Sequence, residues 1–461
     1  MRFRTRLSIG GAFTAGVVLA TLGISLTANL PGHLSYDSVI QLLEGRTAAY
    51  ANWHPPVMSW MLGLADAIVP GTSLFVVFDT LLLFGSLLSL LLIQPRPSWW
   101  AVPVALLCVL SPQFLIYQGI VWKDILFTDA ATAGFVCLAQ AAAWWPNAAL
   151  RYGLIVAAFL LLALATLARQ NGAVVLPAGT AALTWIAARH APHRRFLNAA
   201  LYGASAMFAA IIVVTAANLA LRTRIVGDSG PANQIELLQE YDIIGAVAAQ
   251  PDINLELIKN DDPDLEKLIR TIGARVYSPE RNDTLSNSSA LSNALNNASP
   301  AMIVAQWRSL VLGHPWLYLK VRGDVFRWVF LTPDIRLCLP YLVGVSGPPQ
   351  QMAQLGLGPR WDSRDAALDD YAGLFVGTPV FSHATYALLA VGSLFLLFRR
   401  GRPVDLAIAF MLVGAIAFTL TFFLISIACD YRYLYFLDVS AVVAVFYLAL
   451  DAKVTRRSGP R

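Results

Sequence analysis

Long uninterrupted apolar runs dominate this chain, and their length is the length a bilayer demands. A helix needs about 20 consecutive apolar residues to cross the hydrocarbon. Runs of that order lie at 7–29, 72–93, 99–118, 124–143, 151–168, 173–189, 197–221, 382–398, 404–428 and 432–450, ten in all, with 151–168 and 173–189 among the short ones. Between residues 30 and 71 polar positions return, broken by the apolar stretch Val57–Val69. That stretch is too short to span and is expected to lie in the interface as a helix. Residues 222–381 change character: they hold most of the Asp, Glu and Asn, and read as a mostly helical extracytoplasmic domain with one flexible loop over Leu285–Pro300. Within it, His314–Phe330 mixes Trp316, Tyr318, Phe326 and Trp328 with Lys320, Arg322 and Arg327. This suits a helix resting on the membrane surface, or equally an ordinary amphipathic helix of a globular domain. The expected organisation is an N-terminal transmembrane module over 1–221, the outer domain over 222–381, and C-terminal spans with a tail over 382–461.

Composition agrees with lipid as the solvent. Of the 461 residues 57% are hydrophobic and only 13% charged, against about 25% charged in a soluble protein. The net charge of +5 does not point to nucleic acid, because the basic residues cluster at the ends of apolar runs. Placing Met1 in the cytoplasm puts fifteen Arg and Lys on that side, leaving only Arg46, Lys123, Arg169 and Arg432 on the short outer loops. The positive-inside rule then predicts a multi-pass plasma-membrane protein with both termini cytoplasmic. The basic start before an apolar run imitates a signal peptide, but the run is long and lacks a small-residue cleavage site, so it is taken as the first span. Cys108 and Cys137 sit in apolar runs, which leaves Cys338 and Cys429 as the pair that could bond.

Four polar clusters fall at the expected outer ends of spans. The first loop carries Tyr36-Asp37-Ser38, Glu44-Gly45 and His54-Pro55-Pro56. Asp37, some eight residues beyond the first span, could accept a proton from a hydroxyl held beside it, or could simply N-cap a short helix. Lys123-Asp124 opens the fourth span; it is either an interfacial anchor or, at the level of Asp37, a partner for a shared metal ion or phosphate. Arg169-Gln170-Asn171-Gly172 interrupts two runs, and its guanidinium could hold a phosphate or snorkel to the surface. Asp430-Tyr431-Arg432-Tyr433 precedes the last span; Arg432 could pair with Asp430 or add a second phosphate contact. Ionisable groups gathered at such a depth are a functional-site hypothesis by default.

Taken together, Tyr36-Asp37, Gly45, His54-Pro55-Pro56, Asp124, Arg169-Gln170-Asn171-Gly172 and Asp430-Tyr431-Arg432-Tyr433 resemble the GT-C superfamily of membrane glycosyltransferases, with protein O-mannosyltransferases and aminoarabinose transferases among its members. The resemblance implies an all-α, GT-C-like fold and inverting transfer of a sugar from a polyprenyl-phosphate donor to an extracytoplasmic acceptor. Carried over, Asp37 would be the general base and Asp124 a metal or acceptor partner. Tyr36, His54, Lys123, Arg169, Asn171, Arg432 and Tyr433 would bind substrate. A divalent metal ion at Asp37 and Asp124 is left open, as no other cofactor is implied. Ser38 stands where protein O-mannosyltransferases carry Glu, which argues against that branch. The expected partners are a polyprenyl-phosphate sugar, the acceptor and membrane lipid, and no nucleic acid. The rival readings are a flippase of lipid-linked glycans and a non-catalytic scaffold. A flippase calls for polar residues at mid-membrane depth and internal repeats, whereas the main acidic exceptions here, Asp79 and Asp129, fall towards outer ends.

Overall fold

The structure, a computed structural model, describes residues 8–51, 53–94, 97–190, 196–226 and 231–451. Among these residues it is helical throughout, with isolated β-bridges and no strand. The transmembrane half begins with α1 (Ile9–Asn29), α2 (Tyr36–Thr47), α3 (Pro56–Ile68), α4 (Ser73–Ile93), α5 (Ala101–Val109) and α6 (Pro112–Leu115). It continues through α7 (Lys123–Ala143), α8 (Ala148–Ala168), α9 (Val175–His190) and α10 (Phe196–Arg222). The segment expected on the outer side, here called the outer segment, comprises α11 (Pro231–Ala249), α12 (Glu256–Asp261), α13 (Pro263–Leu268), α14 (Ala274–Val276), α15 (Ser289–Asn296), α16 (Pro300–Gly313), α17 (Pro315–Leu331), α18 (Pro349–Leu355) and α19 (Ser363–Gly373). The chain then returns through α20 (His383–Arg400), α21 (Pro403–Ile425) and α22 (Tyr435–Leu450).

The distribution of polarity is inverted relative to a soluble protein. The helix α7 carries Asp124, Thr128, Asp129, Thr132 and Gln140, yet all but Lys123, Cys137 and Ala143 of its residues are buried. The far more apolar α10 buries only Ala199, Gly203, Ala210 and Leu221. Polar groups that would cost energy in hydrocarbon are kept inside, and apolar surface is turned out to lipid. The chain is an integral multi-pass membrane protein. Eight of the described helices are long and apolar enough to cross, or nine if a bent pair counts as one span.

Two of the ten expected spans differ from expectation. The run 99–118 is not one straight helix: α5 and the segment Pro112–Gly119 meet at a bend of 72°. Pro112 has no N–H to continue the ladder, and Ser111 precedes it in an extended conformation. The bend turns Gln113, Tyr117 and Gln118 into the bundle, all buried. The helix α20 is diluted by His383, Ser393, Arg399 and Arg400 and falls outside the count of eight. It is held instead by internal polar contacts, His383 Nδ1 to Asp438 Oδ1 at 2.9 Å and Arg400 Nη2 to Asp405 Oδ1 at 2.8 Å.

Two hydrophobic cores organise the molecule. One runs through the bundle, the first loop and side chains from Val329 to Phe381. The other lies in the outer segment between Tyr241 and Val325. The stretch Leu285–Pro300, expected as a flexible loop, is a 3₁₀ turn followed by α15. Leu285, Leu291 and Leu295 anchor it in the second core, where burial of three leucines outweighs the turn-forming Ser and Asn around them. The aromatic segment around Arg322 is α17, which buries Val321, Arg322, Val325 and Val329 and leaves Trp316 and Leu319 exposed. Arg322 is fully buried, bonded to Asp242 Oδ1 at 2.7 Å, Phe423 O at 3.0 Å and Ser426 O at 2.6 Å. It therefore caps the orphan carbonyls at the end of α21 and ties the outer segment to the bundle. Most of the basic residues behind the expected orientation lie outside the described residues: Arg2, Arg4, Arg6, Arg96, Arg194, Arg195, Lys453, Arg456, Arg457 and Arg461.

Candidate functional site

The first loop is pinned before it turns into α2. His33 N bonds Gly119 O at 2.7 Å and Val121 N bonds His33 O at 3.0 Å, while Leu34 N bonds Gly344 O at 3.0 Å and Ser346 N bonds Leu34 O at 2.9 Å. The His33 ring is buried, with Nε2 2.9 Å from Asn29 Oδ1 and Nδ1 accepting from Gly344 N at 3.0 Å. Burial first, and then the Arg360 guanidinium, lower its pKa to about 4, so the ring is neutral. Ser35 then N-caps α2 in a reciprocal box with Ser38. Ser38 Oγ also donates to Val121 O at 2.6 Å, and Trp122 Nε1 donates to Ser35 Oγ at 2.9 Å. The cap is thus supplied by Ser35, and Asp37 is one turn-position inside the helix with its carboxylate free for other partners.

The helix α3 crosses α2 at Gly45 and Gly63, where a Cβ on either residue would collide with the backbone of the other. Glu44 fastens the same corner, accepting from Ser59 Oγ at 2.6 Å and Ala51 N at 3.1 Å. Burial raises its carboxyl above the ordinary value against the pull of these two bonds. The corner delivers His54 next to Asp37.

Seven residues singled out from four distant segments meet here. Arg432 Nη2 lies 2.9 Å from Asp37 Oδ2 and 3.2 Å from Asp430 Oδ2, and Arg432 Nε lies 3.8 Å from Asp124 Oδ2. Arg169 is buried in direct contact with Asp124, so it does not snorkel to the surface. Lys123 Nζ donates to His54 Nδ1 at 2.9 Å, and His54 Nε2 is 3.6 Å from Asp37 Oδ1. With Nδ1 accepting, the proton of the neutral imidazole sits on Nε2 and faces the carboxylate. Burial works to raise the Asp37 carboxyl, but the His54 hydrogen bond and the Arg432 guanidinium outweigh it and hold the group well below the usual carboxylate range. Burial, then the neighbouring Lys123 charge, hold His54 below its ordinary value, against the attraction of Asp37.

The remaining candidates are distributed around this core. Asn171 accepts from Arg169 Nε at 3.3 Å and donates to Thr421 Oγ1 at 2.9 Å, positioning the guanidinium. The Tyr433 ring lies 5.4 Å from the Arg169 guanidinium and 5.9 Å from that of Arg432. Tyr36 stands apart, its side chain exposed on the outer surface of α2. Three contributors were not anticipated. The Trp122 indole lies under Arg432 at 4.7 Å, and its place beside Lys123-Asp124 was a usable signal. Arg281 reaches Asp430 at 3.5 Å, and Arg360 binds both Asp365 and Gly32 O. Both arginines come from the outer segment, and nothing in their local sequence marks them. Cys338 and Cys429 form a disulfide, which fastens that segment to the turn bearing Asp430 and Arg432.

The donor set does not suit a divalent ion. Asp37 and Asp124 both face the guanidinium of Arg432, and Asp124 also meets Arg169. Among the described residues no group of three or more His, Cys, Asp and Glu could hold a metal. A cation bridging the two carboxylates would have to displace an arginine that already neutralises them. What the cluster offers is three cations, Lys123, Arg169 and Arg432, compensated by Asp37, Asp124 and Asp430. The forks of Arg169 and Arg432 match the paired oxygens of an anion such as a phosphate.

No protein-family model matches the chain, and no curated protein matches it. Among solved structures it is similar to the oligosaccharyltransferase AglB of the archaeon Archaeoglobus fulgidus, solved with an inhibitory peptide and a dolichol-phosphate, at 13% identity and a TM-score of 0.41. That match covers 94% of this chain and 50% of the other. A second structure of the Archaeoglobus fulgidus oligosaccharyltransferase, with zinc and sulfate, gives 16% identity and a TM-score of 0.42 over 94% and 48% of the two chains. ArnT from Cupriavidus metallidurans gives 12% and 0.33 over 96% and 78%. These neighbours are GT-C superfamily membrane glycosyltransferases. The chain spans about half the length of the oligosaccharyltransferases it matches.

Proposed function

We propose that this protein is a membrane glycosyltransferase that moves a sugar from a polyprenyl-phosphate donor to an extracytoplasmic acceptor, an envelope glycan, lipid or protein. The observation that carries the reading is the ion pair between Asp37 and Arg432 at 2.9 Å, which sets a base and a phosphate-binding cation against each other at one end of the bundle. In this resting pair Asp37 is a weak base, because its charge is compensated. A donor phosphate that engages Arg432, Arg169 and Lys123 takes over the guanidinium and leaves the carboxylate uncompensated. Asp37 then accepts the proton of the acceptor hydroxyl as that oxygen bonds to the anomeric carbon. The bond from that carbon to the phosphate oxygen breaks, and its electron pair departs with the polyprenyl phosphate, stabilised by the same cations. A single displacement inverts the anomeric centre. His54, its Nε2–H aimed at Asp37, orients the carboxylate, and the outer segment selects the acceptor. The proposed setting is the plasma membrane with both termini cytoplasmic.

Membranes containing the protein, supplied with a panel of labelled polyprenyl-phosphate sugars, are expected to transfer label from one of them. Arg432→Gln is expected to raise the KM for donor as well as lower kcat. A folded protein inactive against the whole panel, or an Arg432→Gln variant with unchanged donor KM, would count against the reading.

A further inference from the structure

At the end of the bundle opposite Asp37 lies a second polar site. The helix α7 starts at the candidate site and, at 21 residues, carries the chain about 30 Å away. Just beyond it, a cavity of about 480 Å³ is lined by Trp145, Arg151, Tyr152, Asn198, Tyr202 and two alanines. The Arg151 guanidinium is held between the Trp145 indole at 5.0 Å and the Tyr152 phenol at 4.6 Å. Arg151 Nη1 donates to Trp145 O at 2.9 Å. Its Nε is shut off from water without a hydrogen-bond partner among the described residues. His190 stacks on the other part of the same indole, ring centroids 4.9 Å apart and planes within 7°. Tyr202 stands edge-on to both Trp145 and Tyr152.

The Tyr202 hydroxyl accepts a hydrogen bond from the guanidinium, and the open Nε beside the cavity leaves a bond for a ligand or a water to complete. Among the described residues the lining carries one formal charge, the arginine, and no carboxylate, which favours an anion. A guanidinium whose plane is fixed between two aromatic rings presents its N–H fork in one orientation, which matches the paired oxygens of a phosphate. The amide of Asn198 and the hydroxyl of Tyr202 add neutral contacts suited to a glycerol or phosphate ester. The cavity opens at the starts of α8 and α10 and the end of α9, which is the headgroup level for helices that span the bilayer. Beside it α10 exposes Leu197, Leu201 and Phe208, a lane along which an acyl chain can run.

We propose that this cavity binds the phosphate of an anionic phospholipid headgroup, in the leaflet opposite the candidate active site. The site is independent of the glycosyl-transfer reading, since none of its residues belongs to the Asp37 cluster.

The test uses the whole protein purified in detergent and reads thermal unfolding against added phosphatidylglycerol, phosphatidylcholine or sodium phosphate. Phosphatidylglycerol is expected to stabilise the wild type more than phosphatidylcholine does. Arg151→Gln should weaken its apparent affinity roughly tenfold or more. Arg399→Gln removes an exposed charge at the same end of the bundle and should leave the response intact. If Arg151→Gln does not fold, Tyr202→Phe should shift the phosphatidylglycerol titration in the same direction by a smaller factor. Equal stabilisation by phosphatidylcholine overturns the proposal, as does a full effect from sodium phosphate alone, which would mean a free-phosphate site. So would an unchanged titration in Arg151→Gln, or in Tyr202→Phe where that variant is the one read.

Discussion

Two carboxylates that look equivalent in the site, Asp37 and Asp124, are expected to fail in opposite ways when each is changed to Asn. Asp37 is partly open to solvent, 29% exposed at the side chain. Removing its charge leaves Arg432 still paired with Asp430 at 3.2 Å and near Asp124. With solvent screening the pair, the stability cost should be about 1 kcal/mol or less. Loss of a general base costs about 10²- to 10⁴-fold in rate, equivalent to about 3–5 kcal/mol in the barrier. Asp124 is 1% exposed and sits between two arginines. Neutralising it leaves buried guanidinium charge uncompensated, which costs about 3–5 kcal/mol of stability. The measurement pairs thermal unfolding of each purified variant with label transfer in membranes matched for protein level. Asp37→Asn should unfold close to the wild type and be nearly inactive, and Asp124→Asn should unfold many degrees earlier. An Asp37→Asn variant with full transfer would refute its role as base. Equal unfolding temperatures for the two variants would refute the assignment of Asp124 as the charge that holds the arginines together.

Three further outcomes follow from the packing around the loop. Burial lowers the His33 pKa in the folded protein to about 4 from the ordinary 6.5, so the unfolded chain takes the proton more readily. Its contribution is complete above about pH 6.5 and is lost as pH falls towards 4, by about 3 kcal/mol at about 1.36 kcal/mol per pH unit. Unfolding measured across that range should be flatter in His33→Gln than in the wild type, and parallel profiles would contradict it. Gly63→Ala would press a methyl against the Gly45 backbone and should cost about 1–3 kcal/mol. Gly392→Ala, with open space at that position, should be close to neutral in the same unfolding assay. Replacing both Cys338 and Cys429 by Ser releases a loop closed over a separation of 91 residues and should lower stability by up to about 4 kcal/mol. It should also reduce transfer, because the Asp430–Arg432 turn loses its tether.

Some of this was legible along the chain. Apolar run length depends only on local composition, so α1, α4, α7, α8, α9, α10, α21 and α22 could be located from sequence. The gathering of Asp37, Lys123, Asp124, Arg169 and Arg432 at one end followed from the positions of those runs, and the two cysteines outside them proved to be the bonded pair. The partnerships were not legible. Asp37 and Arg432 are 395 residues apart, and whether Asp37 caps a helix or meets an arginine depends on Ser35 taking the cap and on α3 crossing at Gly45. The bend at Pro112 and the burial of Arg322 depend on which backbone and side-chain groups a neighbouring helix can satisfy. The helical course of Leu285–Asn296 depends on a core supplied by distant segments. The hydrophobic pattern is a property of each segment and its solvent, so sequence alone determines which segments enter the membrane. Ion pairs and caps are properties of two segments brought within about 3 Å, and only the tertiary structure decides which two those are.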